Sequence, residues 1–239
     1  MNPVAYIPIA STIISVYFLI EILAHLKQKP NAIYLRWWTV GIFCYGLGTA
    51  IESAHTFLGW SPFIFKSWYI AGAFLGGVPL AQGTVHLLMN QPFARKSSQL
   101  LSIVLTISAV LVILSPLDAT LVTHKLNGNV LEWTFIRFIT PFINIYALLF
   151  LVGGAIYSAY KYSQKTEFKS RFWGNLCIAI GGLLPGIGGT ATKFGETYVL
   201  YVTELIGIIF IYLGYKIIKS DRSISLYESQ IKSKALGNS

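Results

Sequence analysis

Seven stretches of this chain each stay apolar for about 20 residues, the length an α-helix needs to cross the hydrocarbon core of a bilayer. They run over positions 4–25, 37–59, 67–90, 98–117, 134–160, 172–192 and 196–218. Inside lipid every backbone polar group must find its partner within the protein, so a spanning segment is a helix or part of a closed barrel. None of the seven stretches alternates apolar and polar residues as a barrel strand does. The sequence therefore predicts an all-α polytopic membrane protein, a bundle of seven transmembrane helices. Composition agrees, because only 11% of residues are charged, whereas a soluble domain carries about 25%.

The basic residues set the expected orientation. With the N-terminus outside, the outer segments hold only Lys66, Lys125, Arg137 and Lys193, and the other 14 of the 18 Lys and Arg fall in cytoplasmic segments. Such a bias places the C-terminus in the cytoplasm. The net charge of +9 is thus a topology signal facing anionic lipid. There is no nucleic-acid motif, and the expected surroundings are the lipid bilayer. Residues 1–219 are read as one transmembrane domain and 220–239 as a short cytoplasmic tail. Met1 to Pro8 contain no Lys or Arg, so the first stretch is read as a retained helix and not a cleaved signal peptide. All six tryptophans fall at or near the predicted helix ends, where an indole suits the headgroup level.

Small residues let membrane helices approach closely. Gly72-x-x-x-Gly76, Gly182-x-x-x-Gly186 and the series Gly41, Gly46, Gly48, Ala50 make the second, third and sixth helices the expected tightly packed centre. Pro79, Pro141 and Pro185 lie within helices and each removes a backbone hydrogen bond. Gly186 to Thr190 is loose enough to be a hinge, a broken helix or a loop exit. The fourth helix is almost wholly aliphatic and is expected to face lipid broadly. Arg36-Trp37-Trp38 ahead of Cys44, and Arg171-Phe172-Trp173 ahead of Cys177, admit two readings. They are marks of a parallel repeat, as in several transporters, or simply Arg-aromatic pairs at the cytoplasmic interface, and the simpler reading is preferred. Both cysteines sit in apolar runs and are read as small core residues.

Ionisable groups within a membrane are costly and point to function. At about 1.5 Å of rise per residue, Glu52 lies roughly 10 Å, Glu204 roughly 12 Å and Asn144 roughly 15 Å from the outer helix ends. Tyr45 and Thr203 flank this layer, His55 stands one turn outward of Glu52 on the same face, and Arg137 lies near the outer mouth. Two carboxylates at one depth are not both comfortably ionised. The expected site is an outer polar pocket of Glu52, His55, Glu204, Asn144, Arg137 and Tyr45, able to bind a small ligand or cation or to shuttle a proton. The alternative is that the two glutamates only fix helix register. An inner polar layer holds Glu21, Gln82, His86 and Asn175, with Glu21 expected to pair with Lys27 or to sit at the interface.

No cofactor is assigned. Glu52-x-x-His55 has the form of one half of a carboxylate-bridged di-iron motif, but that site needs the motif twice and further glutamates. His55 lies near the outer edge of the membrane and His86 near the inner edge, roughly 20 Å away by the helical rise, so paired axial haem ligands are not expected. Phosphate loops, nucleophile elbows and zinc-protease motifs are absent. The seven-helix count invites comparison with microbial rhodopsins. Lys216 and Lys219, the lysines of the seventh helix, stand at its cytoplasmic end, so a retinal Schiff base at the usual site is not expected.

Trp38, Gly41, Tyr45, Gly48 and Glu52 along the second helix, continuing through Lys66, Trp68-Tyr69, Gly72 and Pro79 in the third, resemble the seven-helix membrane sensor region of some bacterial histidine kinases. The likeness covers about a quarter of the chain. It implies a bacterial plasma membrane and, since no kinase or cyclase follows, a free-standing sensing module acting through a protein partner on the cytoplasmic side. The expected function is a receptor-like or accessory membrane protein. A small transporter or proton-coupled carrier is the alternative, and an intramembrane enzyme comes third.

Overall fold

The computed structural model describes residues 3–122, 126–164, 168–192 and 194–221. The tail beyond Asp221, and with it most of the predicted 220–239 segment, lies outside the described residues, as do His124, Lys125, Lys165 and Lys193.

Seven long helical rods form the chain: α1 Pro3–Gln28, α2 Ile33–Leu58, α3 Pro62–Leu88, α4 Gln91–Leu114, α5 Thr134–Ser163, α6 Lys169–Thr192 and α7 Thr197–Ser220. Six are long and apolar enough to cross a membrane. The seventh, α2, has the length at 26 residues and is the most polar, carrying Arg36, Glu52 and His55. It packs between α1 and α3 and turns Val40, Phe43 and Leu47 outward. No extended strand occurs among the described residues. The architecture is the predicted all-α polytopic bundle.

Helix ends follow local chemistry. Gly59, at φ 77°, closes α2 by donating its N–H to the His55 carbonyl, a left-handed conformation that costs glycine no strain. Ser61 and Asn90 accept N–H bonds from Ile64 and Phe93 and so cap α3 and α4. Lys66 donates to the carbonyls of Ile113 and Ser115 at 2.6 and 2.9 Å, fastening α3 to the carbonyl end of α4.

The rods pack in the order α7, α1, α2, α3, α5, α6 and back to α7, with α4 lying outside against α3 and α5. As expected, α4 turns an aliphatic face outward, including Leu100, Ile103, Ile107 and Ile113. The predicted centre needs one correction. Of the most apolar stretch of each helix, 50% is buried in α3 and 39% in α7, against 28% in α6. The most buried spans are therefore α3 and α7, while the less buried α6 makes its most extensive packing against α7.

That packing is through glycine, but in another register from the predicted pair. Gly174, Gly181 and Gly188 of α6, seven residues apart, face Gly207 and Gly214 of α7. A Cβ on Gly181 would lie 2.6 Å from the Gly207 carbonyl oxygen, and one on Gly207 would lie 2.9 Å from that of Gly181. Backbone meets backbone there, which only small residues permit. Gly182 meets Leu151 of α5 instead, and Gly186 meets nothing within 4 Å.

The prolines also act differently from one another. In α3 a π-helical segment, Tyr69–Phe74, ends in a break at 75–77, and the helix resumes at Val78 with Pro79 in its first turn. Proline fits there because a first-turn N–H has no intrahelical partner. Pro141 lies within α5, which becomes π-helical over Leu148–Val152. Pro185 leaves α6 continuous through the Gly186–Thr190 segment to Thr192, so of the three readings of that segment the broken helix does not hold, and α3 carries the interruption.

Candidate functional site

Tyr45, Gly48, Glu52 and His55 recur at three- and four-residue steps, which puts them on one stripe of α2. Tyr45, Glu52 and His55 are 6%, 1% and 8% exposed. Gly48 lets α3 approach, since a Cβ there would stand 3.3 Å from the Gly72 Cα. Trp68 lies one turn before Gly72, and Glu52 one turn after Gly48. The close approach therefore brings the two side chains together, and Trp68 Nε1 donates to Glu52 Oε1 at 2.9 Å.

On α7, Glu204 is held from the other side. The Tyr45 hydroxyl donates to the Glu204 backbone carbonyl at 2.7 Å, linking α2 to α7 at this level. The Glu204 carboxyl stands within hydrogen-bonding reach of the Glu52 carboxyl. Oε2 of each is buried and has no hydrogen-bond donor among the described residues. Tyr201, buried one turn before Glu204, completes the surroundings.

Of the six expected site residues, the structure brings Glu52, Glu204 and Tyr45 together. His55 is buried one turn along α2. Arg137 and Asn144 do not join the pocket: both are exposed on α5, and neither pairs with a carboxylate among the described residues. The α5 helix leaves the Asn144 side chain exposed, apart from the glutamates. Thr203 bonds back to its own helix, at the Val199 and Leu200 carbonyls. A shallow cleft of ≈ 350 Å³ lies between α2 and α3, lined by Ile51, Ala54, Leu58, Ser61, Phe63, Ile64 and Ser67.

Sequence reading missed Trp68 as a site residue by assigning it to the interface. Because α3 begins at Pro62, Trp68 sits nearly two turns inside the helix and is 6% exposed. Trp38 is likewise buried, whereas Trp173 is 56% exposed. The signal was present: Trp68 is four residues before the close-packing Gly72, so it shares that inward face.

The inner polar layer is satisfied throughout. Gln82, fully buried, donates to Ala94 O, Ser97 Oγ and Ser98 Oγ and accepts from the Tyr146 hydroxyl. His86 bonds Ser98 at 2.8 Å. This network ties α3 to α4 and α5. Glu21 pairs with Lys216 at 3.0 Å and accepts from Tyr212, not from the expected Lys27. A helix face pairs with its spatial neighbour, and α7 lies beside α1 there. Asn175 bonds within its own turn. Among the described residues no three of His, Cys, Asp and Glu gather as a metal-binding group, and neither cysteine forms a disulfide.

Fold and site together define a multi-pass α-helical membrane protein with two buried glutamate carboxyl groups side by side. The chain matches no protein-family profile, no curated protein and no solved structure.

Proposed function

We propose that this is a receptor-like or accessory membrane protein, its N-terminus outside, whose outer half holds one proton, exchangeable for a small monovalent cation, between Glu52 and Glu204. One observation carries the reading: two buried carboxyl groups within hydrogen-bonding reach, each with an oxygen that has no donor. Two bare carboxylates in contact within hydrocarbon repel and lack solvation. A single proton between them gives both oxygens a partner, and a monovalent cation in its place leaves the charge unchanged. The closed surroundings favour an ion over an organic ligand. Trp68 and Tyr45 tie the pair to α3 and, through the backbone, to α2 and α7, so occupancy bears on the packing of three helices.

The likeness to kinase sensor regions supports a signalling role through a cytoplasmic partner. The proton-coupled carrier remains the second reading, favoured by the interrupted α3, since carriers place ion sites beside broken helices. Two measurements test these readings. The Trp68 share of indole fluorescence, taken as the difference between the protein and its Trp68→Phe variant, is expected to change on acid titration or on addition of Li⁺ or Na⁺. Glu52→Gln is expected to remove the change, and a signal indifferent to both ions defeats the proposal. In proteoliposomes holding a pH dye, the receptor reading predicts no proton flux. Flux lost in Glu204→Gln establishes the carrier instead.

A further inference from the structure

Helix α1 turns one buried stripe inward. Pro8, Ser11, Ser15, Phe18 and Ile22 are buried, and their three- and four-residue steps put them on one face. Phe18 rests on Tyr212 and Tyr215 of α7, with ring centroids 5.1 Å apart in each pair. Ser15 faces α2, since a Cβ on Gly46 would stand 2.9 Å from the Ser15 Cβ. The stripe therefore looks into the seam between α2 and α7, the same seam that the Tyr45 hydroxyl closes by donating to the Glu204 carbonyl. Ser11 on this stripe is fully buried, and its hydroxyl has no hydrogen-bond partner among the described residues. Ser15, one turn inward, differs: its hydroxyl donates to the Ser11 carbonyl at 2.8 Å.

Register sets the level of that hydroxyl. Between α1 and α2, Thr12 bonds Thr49, the Thr56 hydroxyl donates to the Ala5 carbonyl, and Ser15 meets Gly46. This antiparallel register puts Ser11 opposite Ala50, about 3 Å along the axis from Glu52. Between α1 and α7, Glu21 bonds Tyr212 and Lys216, His25 bonds Tyr215, and Phe18 meets Tyr212 and Tyr215. The same offsets put Ser11 beside 201–208 of α7, with Glu204 near the middle. Three buried oxygens with no donor, Ser11 Oγ, Glu52 Oε2 and Glu204 Oε2, thus reach one level from three helices. An unmet hydroxyl in a dry interior is costly. We infer that Ser11 Oγ is a ligand of the small monovalent cation that the carboxyl pair takes in place of its proton. A proton shared by two carboxyl groups already has an acceptor at each end and needs no third group. A hard cation gathers several oxygens, and Glu52 Oε1 is engaged by Trp68. The hydroxyl supplies a further oxygen without further charge. So small a set of oxygens suits Li⁺ or Na⁺ and leaves the larger K⁺ poorly surrounded. The inference rests on the ion reading of the carboxyl pair and names the residue that separates cation from proton there.

The test reads the Trp68 share of fluorescence of the full chain in mild detergent, titrated with Na⁺ or Li⁺ at fixed pH and separately with acid in cation-free buffer. Ser11→Ala is expected to raise the midpoint for both cations about tenfold, the weight of one neutral partner to a charged group, and to leave the acid midpoint in place. Ser11→Cys keeps the volume but offers a soft sulfur to a hard ion, and it is expected to give the same rise. Ser15→Ala, which removes a hydroxyl already bonded, is expected to move neither midpoint. Cation-free melting curves of the Ser11 variants at or above that of the parent remove misfolding as the cause. Equal cation midpoints in the parent and both Ser11 variants overturn this inference and leave the ion reading standing. An equal rise in Ser15→Ala overturns it as well, because the effect then belongs to the packing of α1. A parent indifferent to both cations fails before any Ser11 variant is measured, and the cation part of the ion reading falls with it.

Discussion

Replacing Gly181 with alanine should cost the protein stability, whereas the same change at Gly186 should not. The Cβ added at Gly181 would stand 2.6 Å from the Gly207 carbonyl oxygen and 2.8 Å from the Ile211 nitrogen. Both are backbone atoms, so relief requires α6 and α7 to separate along their whole seam. Overpacking of this kind costs about 1–3 kcal/mol, and the gain in helix propensity returns at most about 1 kcal/mol. The net loss is about 1–2 kcal/mol, which lowers the melting temperature of a chain this long by roughly 2–8 °C. At Gly186 nothing stands within 4 Å, so only the propensity term remains, and the expected change lies between zero and a small rise. The assay is thermal unfolding of both variants in one mild detergent, followed by cysteine-reactive dye, since Cys44 is buried and Cys177 partly so. Equal losses in the two variants refute the assignment of the glycine seam.

Other expectations follow from single contacts. Lys66→Met leaves the Ile113 and Ser115 carbonyls without their ammonium partner, and a loss of about 1–2 kcal/mol should appear as faster hydrogen exchange in the last turn of α4. Gln82→Leu leaves the Tyr146 hydroxyl without its amide acceptor and removes the tie from Gln82 to α4, with an expected loss of about 1–2 kcal/mol measured by the same thermal assay. The hydroxyl and then the N–H of Thr120 hold the Asp118 carboxyl below its ordinary range. Its contribution to loop order is therefore present above the unfolded carboxyl range and lost only as pH falls through the lowered value. The protection of the Thr120 amide, corrected for the intrinsic pH dependence of exchange, should be steady around neutrality and fall only in acid.

The sequence made the helices legible because membrane length is a strong signal; six of the seven runs became rods within about five residues of their expected bounds, and the fourth begins seven residues early, at Gln91. It was less informative about faces. Depth can be counted along an axis, which is why Glu52 and Glu204 were rightly placed at one level. Rotation cannot be counted until the neighbours are known, which is why Asn144, at a similar depth, was expected inside and lies exposed. The same ambiguity misassigned the glycine seam. Gly182-x-x-x-Gly186 fits the usual spacing, but the seven-residue series through Gly181 faces α7, and only the partner helix reveals that choice. Trp68 was hidden by an average preference of tryptophan for interfaces, which its local contact with Glu52 overrides.

The most direct test of the central claim is infrared spectroscopy of the carboxyl carbonyl stretch, in cation-free buffer near neutral pH. The shared proton predicts a protonated-carboxyl band in the parent protein that is lost or shifted in Glu52→Gln and in Glu204→Gln, and diminished when Li⁺ or Na⁺ takes the proton's place. Carboxylate bands alone, unchanged by either substitution, would contradict it and leave the two glutamates as elements of helix packing.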